Sequence, residues 1–158
     1  HDIRIAAIVE LLLQTGMRIG ELANLEVSDI KNGEIYIKPY ESHEARTVPL
    51  NRAAKQSLQA YVSIRPKTGN KTLFVTKTGR PLLIRNIRTA IDRYFRLAGI
   101  KEAKVNDLRH TFVAHHLAAG TPLTTISKLV GHKRLSTTEK YLEFVKDRLE
   151  ESVKLEEL

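Results

Sequence analysis

The sequence predicts an α+β fold, mostly α-helical: a single domain in which a small antiparallel β-sheet packs against a helical bundle. Three observations point there. Apolar residues recur at helical spacing towards both ends of the chain, period-two alternation is confined to a short stretch around Gly33, and no repeat or low-complexity linker divides the 158 residues. At 42% hydrophobic and 28% charged residues the chain can bury a core, and its length suits one domain.

In order, Ile5, Ile8, Val9, Leu12 and Leu13 form the first helical stripe, stopped at Thr15-Gly16, and a short second helix covers about 18–25. Gly33 turns the chain into a strand over 34–38, where Ile35 and Ile37 alternate with polar neighbours. Residues 39–45 form a loop, and 46–50 the returning strand. Asn51 can cap a helix carrying Ala54, Leu58, Tyr61 and Val62, which must end before Pro66. Residues 73–76 read as a third strand, closed by Thr78-Gly79-Arg80-Pro81.

The remainder is helical. Ile84, Ile87, Ile91, Phe95 and Leu97 make one stripe with Gly99 as its terminator. Asn106 or Asp107 caps a helix through Phe112 and Leu117 to Gly120. Pro122 opens another through Ile126 and Leu129, closed by Gly131. Ser136 and Glu139 have capping-box spacing, so a helix should start there and carry Tyr141, with Leu142, Val145, Leu149 and Val153 continuing its apolar stripe.

Composition excludes several chemistries. Cysteine is absent, which removes disulfide scaffolds, thiolate zinc sites, iron–sulfur clusters and cysteine nucleophiles. The most apolar run, residues 5–9 and 11–13, is too short to cross a bilayer, so no membrane partner is expected. The net charge of +8 is concentrated: residues 65–110 hold 12 basic and 3 acidic side chains, whereas the flanking parts are close to neutral. Seven of those twelve are arginines, whose planar fork matches phosphate oxygens, and the stretch therefore reads as a polyanion footprint. With aromatic residues at 6% and no Trp, duplex DNA held through its backbone fits better than stacked single strands. Lys77, Arg80, Arg85, Arg88 and Arg93 are the candidate DNA contacts. His110, His115 and His116 lie close in sequence, but their spacing and the lack of a suitable carboxylate argue against a metal site.

Three motifs carry the chemistry. Thr15-Gly16-Met17-Arg18-Ile19-Gly20-Glu21-Leu22 sets an arginine just past a glycine. Asn106-Asp107-Leu108-Arg109-His110-Thr111-Phe112 sets a second at a helix start, and Leu129-Val130-Gly131-His132 precedes Tyr141 by nine residues. A phosphodiester gains charge on its equatorial oxygens when attacked, and two guanidiniums can bind those oxygens. A free phenol, with a pKa of about 10, needs positive charge or a base nearby to attack.

In these motifs the sequence resembles the catalytic domain of the tyrosine recombinases, the phage-integrase family that includes the Xer and conjugative-transposon members. The resemblance runs from about Ile5 to Phe144. It implies DNA strand cleavage and rejoining through a covalent 3′-phosphotyrosine, without metal or nucleotide cofactor. Carried over by position, Arg18 and Arg109 would clamp the scissile phosphate, Tyr141 would be the nucleophile and His132 would stand at the family's His/Trp position. Glu21 would hold Arg18 or a neighbouring group in place. The family commonly has His or Lys where this chain has Asn106, whose amide can bond phosphate but cannot take the phenol proton; His110 is a further candidate. The family also carries a general-acid lysine on its hairpin. Here the hairpin offers only Lys38, with Lys77 in the next turn as the alternative.

The resemblance further implies a DNA-bound homo-oligomer, a tetramer in the synapse, acting in the cytoplasm at the nucleoid. It implies a core-binding domain N-terminal to this part, outside the chain. Residues 1–144 would form the catalytic domain, and the acidic segment 145–158 a helix exchanged between subunits. Alternatives are a DNA-binding module that keeps the fold without catalysis, and a type IB topoisomerase-like enzyme.

Overall fold

The computed structural model describes the backbone of residues 2–156 and the side chains of residues 2–146. Helix α1 (Ile3–Thr15) is started by the Asp2 carboxylate, which accepts from the Ile5 N–H at 3.1 Å, and is stopped by Gly16 at φ +69°. It buries Ile5, Ala7, Ile8, Leu11 and Leu12 against α3 (Arg52–Ile64) and α5 (Val105–Ala118). A Cβ at Gly16 would stand 2.5 Å from the Phe112 ring and 2.9 Å from Val130, so α5 and α6 (Leu123–Val130) can approach this turn only because it is glycine.

After α2 (Ile19–Ala23) and one 3₁₀ turn, β1 (Ile30–Lys31), β2 (Glu34–Ile37) and β3 (Arg46–Pro49) form an antiparallel sheet in the order β1-β2-β3. The register sets Ile35 opposite Val48 and Ile37 opposite Arg46. Ile35, Ile37 and Val48 are buried while Tyr36 faces outward, as the alternation requires. Helix α4 (Ile84–Leu97) lays Ile87, Ile91 and Phe95 into the same core. A smaller cluster of Phe112, Val113, Ile126 and Val130 joins α5, α6 and α7 (Leu135–Glu156), with Tyr141 packed on its edge.

Four local expectations are corrected. The third strand is β1, ahead of the hairpin; the stretch 72–76 makes isolated bridges, Glu26 with Thr72 and Val75 with Pro81. Single backbone bonds tie it in, from the Leu73 N–H to the Leu25 carbonyl, the Thr76 N–H to the Arg80 carbonyl and the Leu82 N–H to the Phe74 carbonyl. Side chains add to them: the Tyr61 hydroxyl donates to the Leu73 carbonyl and accepts from the Val75 N–H, and Arg65 donates to the carbonyls of Asn70, Thr72 and Leu73. Arg65 therefore serves the fold. Helix α5 starts two or three residues earlier than expected, with Lys104 as its cap residue and the Asp107 carboxylate accepting from the Lys104 N–H at 2.7 Å. Leu97 falls off the α4 stripe and is 79% exposed, because two residues past Phe95 it points to the opposite side of the helix. Helix α7 begins at Leu135, so Ser136 lies within it. It runs unbroken past residue 144; the side chains of Leu149 and Val153 lie outside the described residues.

Candidate active site

The site is organised around the C-terminal end of α6. That end leaves orphan carbonyls carrying the negative end of the helix dipole. Arg46 Nε donates to the Leu129 carbonyl at 2.7 Å, and Arg18 donates to those of Val130 and Gly131, each at 3.2 Å. Two arginines from remote parts of the chain thus cap three successive carbonyls. Gly131, at φ +70°, then turns the chain so that the His132 N–H returns to the Ser127 carbonyl at 3.0 Å.

Glu21 ties the arginines together. Its carboxylate is fully buried and accepts from Arg46 at 2.5 and 2.8 Å and from the Arg18 N–H at 2.8 Å; Arg18 Nη1 lies 3.6 Å away. Burial alone would push this carboxyl up, but the hydrogen bonds from Arg46 and the Arg18 backbone hold it below the usual range, so it stays charged.

Arg109 enters from α5. It donates to the Gly16 carbonyl at 2.5 Å, on the turn that precedes Arg18. Its burial, then the neighbouring charges of Arg18 and Arg46, lower its pKa to about 10, so it remains a cation at neutral pH. Burial likewise lowers Arg18, with Glu21 opposing. Three guanidiniums face one buried carboxylate, an excess of positive charge in a poorly solvated place. Such a site favours an anion.

His132 and Tyr141 complete the cluster. His132 Nδ1 lies 2.6 Å from the hydroxyl of Thr138, which is fully buried, and Tyr141 follows one turn later on the same helix. The His132 and Tyr141 rings stack with centroids 6.3 Å apart and planes 19° apart. Burial, then Arg109, Arg18 and Arg46, drop the His132 pKa to about 4, so this imidazole is neutral at pH 7. Burial raises the Tyr141 phenol while Arg109 pulls it back down. His110 packs 5.7 Å from the Tyr141 ring, but half its side chain is exposed and it pairs with Asp107 at 3.5 Å. Asn106 is exposed on the first turn of α5, one turn before Arg109.

Lys38 is placed elsewhere. Its ammonium is held by Asp29 at 3.0 Å and Glu26 at 3.3 Å, and these carboxylates raise its pKa against the effect of burial. Lys77 is exposed beside the start of α1, near Asp2 and Arg4. Arg80 is exposed in the turn before α4, and Arg85, Arg88 and Arg93 lie on the outer side of that helix, away from Ile87 and Ile91.

Sequence reasoning missed two residues. Arg46 shares the inward face of its strand with Val48, which period-two counting from Leu50 would have revealed. His43 sits at the hairpin tip; the charges of Arg18, Lys133 and Arg109 act on it, and it acts on His132. A loop residue carries no periodicity that could have flagged it.

Among the described residues, no group of three or more His, Cys, Asp or Glu could hold a metal ion, and no helix is long and apolar enough to cross a membrane.

The phage integrase family model matches residues 1–148. The tyrosine recombinase XerC of Corynebacterium glutamicum is 31% identical over 153 residues, covering 95% of this chain and 50% of the relative. XerC of Thermodesulfovibrio yellowstonii is 35% identical over 147 residues, covering 85% and 48%. Among solved structures, that of XerA recombinase superposes with a TM-score of 0.83 at 31% identity, covering 89% of this chain and 52% of that one. XerH site-specific recombinase bound to a palindromic difH substrate superposes with a TM-score of 0.79 at 25% identity, covering 99% and 46%. The chain spans about half the length of the curated relatives it matches.

Proposed function

The chain belongs to the phage integrase family, and from that premise we propose that it is the catalytic half of a tyrosine-type site-specific DNA recombinase. It cuts duplex DNA by joining a strand to Tyr141 as a 3′-phosphotyrosine, and it rejoins that strand to another 5′ end. The observation that carries this reading is convergence: the carbonyls of Gly16, Val130 and Gly131 anchor Arg109 and Arg18 at two adjoining turns, with His132 and Tyr141 stacked beside them.

The scissile phosphate lies between Arg18 and Arg109. As Tyr141 attacks, charge builds on the non-bridging oxygens and the two guanidiniums stabilise it, more strongly here than in water. This is the work a metal ion does in other phosphoryl-transfer sites, and the reading is metal-independent. His132 is neutral at working pH. With Nδ1 engaged by Thr138, its Nε2 is the nitrogen that meets the phosphate. Arg109 favours the phenolate of Tyr141 and lowers the cost of deprotonation.

The exposed arginines of α4 with Lys77 and Arg80 hold the duplex backbone and set its register. The protein acts as a DNA-bound oligomer in the cytoplasm, a tetramer at the synapse, together with an N-terminal core-binding domain. Segment 145–158 passes to the neighbouring subunit. A second reading, a DNA-binding module without cleavage, is favoured by the capture of Lys38 by Asp29 and Glu26 and by Asn106 at the His/Lys position.

The two are separated by incubating the protein with a pool of nicked duplexes and resolving the products on a denaturing gel. A protease-sensitive protein–DNA band supports the recombinase. Retained affinity with no such band supports the binding module.

A further inference from the structure

The hairpin tip is built to hold one side chain over the cationic cluster. Tyr40 and His43 close it with two backbone hydrogen bonds, of 3.1 and 2.8 Å. The Tyr40 ring lies against Gly20 so closely that a Cβ there would collide with it, which docks the tip on α2, directly after Arg18. Three residues beyond His43, Arg46 fastens the returning strand to Glu21. Between these anchors the His43 Nδ1 is buried and has no hydrogen-bond partner. A buried polar atom without a partner is costly to keep, and it is accounted for where a substrate supplies the partner.

The groups whose charges act on this imidazole are Arg18, Lys133, Glu21 and Arg109, with His132 as a further neighbour. Burial and the cations keep its pKa below normal when the site is empty. A phosphodiester anion between Arg18 and Arg109 offsets part of that positive field and so favours the protonated ring relative to the empty site. Several neighbouring groups are poorer proton donors at this place: the guanidiniums hold their protons too tightly, His132 has its Nδ1 engaged by Thr138, and Lys38 is held by two carboxylates, which leaves the Lys133 ammonium as the competing donor.

Resting on the recombinase reading above, we propose that His43 Nδ1 donates the proton to the 5′ oxygen that leaves when Tyr141 attacks the phosphate. The Tyr141 Oη–P bond forms and the P–O5′ bond breaks. The proton on His43 passes to O5′ to give a free 5′-hydroxyl, while the phenolic proton passes to solvent, from which His43 is recharged. Rejoining runs the same transfers in reverse.

A poor leaving group needs this proton and a good one does not. The test uses the full chain and a randomised duplex pool containing one fixed phosphodiester, made either with its natural 5′ oxygen or with bridging 5′ sulfur. On oxygen substrate His43→Gln should form covalent adduct about 100-fold more slowly than wild type, the usual scale for loss of a general acid. On sulfur substrate the two should react at nearly equal rates. Tyr141→Phe should be inert on both. Equal rates for wild type and His43→Gln on oxygen would overturn the role of His43 and leave the recombinase reading standing. So would a defect that sulfur fails to restore, or sulfur rescue of Lys38→Ala or Lys133→Ala instead. A wild type that forms no adduct with either pool would remove both.

Discussion

Arg46 and Glu21 lie 2.5 and 2.8 Å apart through two parallel hydrogen bonds, joining the hairpin to the helix that follows Arg18. Because Arg46 also donates to the Leu129 carbonyl, one guanidinium fixes three elements: the hairpin, α2 and the end of α6 that leads into His132. Arg18 and the turn that leads into His132 are thus braced by one side chain.

Removing Arg46 alone leaves a fully buried carboxylate facing Arg18 across 3.6 Å with its main partner lost. Arg46→Ala should destabilise the protein by about 3–5 kcal/mol, as read by urea denaturation. Arg46→Met combined with Glu21→Gln should recover most of that loss. If the double variant is no more stable than Arg46→Ala, the cost does not arise from the stranded charge.

Gly131 adopts φ +70°, and a Cβ there would stand 2.7 Å from Arg46 Nη1 and 3.2 Å from Arg18 Nη1. Gly131→Ala should cost about 1 kcal/mol or more from backbone strain alone. It should also slow adduct formation by displacing both guanidiniums. An unchanged cleavage rate would show that the arginines need not hold this position.

His132 has a folded pKa of about 4 against an ordinary value of 6.5, and His43 and His116 are shifted the same way. The unfolded chain therefore binds more protons than the folded one between about pH 4 and 6.5, so stability falls as pH drops through that window. Tm should be nearly flat above pH 7 and decline towards pH 5, and His132→Asn should flatten the decline. A wild-type Tm that rises on acidification would reverse the assigned sign.

Arg85, Arg88 and Arg93 are exposed on the outer side of α4. Replacing by Ala one that contacts a phosphate should weaken duplex binding uniformly across sequences and lower the salt slope by about one. Fluorescence anisotropy over a salt series measures both. Unchanged slopes for all three would turn this helix away from DNA.

The fold was legible where periodicity was long. The stripes of α1 and α4 and the alternation of Ile35 and Ile37 gave helix, helix and strand, and the glycines at 16, 33 and 131 marked turns that adopt positive φ. It was less legible where side chains share the work of a ladder: Leu73, Phe74 and Val75 are buried like a strand, but Tyr61 and Arg65 satisfy part of their backbone and single bonds to Leu25 and Leu82 another part. In the site, Arg18, Arg109, His132 and Tyr141 stood out because short motifs surround them. Lys38 is the one lysine of the hairpin, and the two carboxylates that hold it lie in a turn whose geometry the chain order does not disclose.

If Arg18 and Arg109 hold one phosphate for attack by Tyr141, mass spectrometry of peptides from nuclease-digested protein–DNA adduct should find a nucleotide joined through its 3′-phosphate to the peptide containing Tyr141, and none in the Arg109→Ala protein. A nucleotide on any other residue, or one joined through its 5′-phosphate, would contradict this.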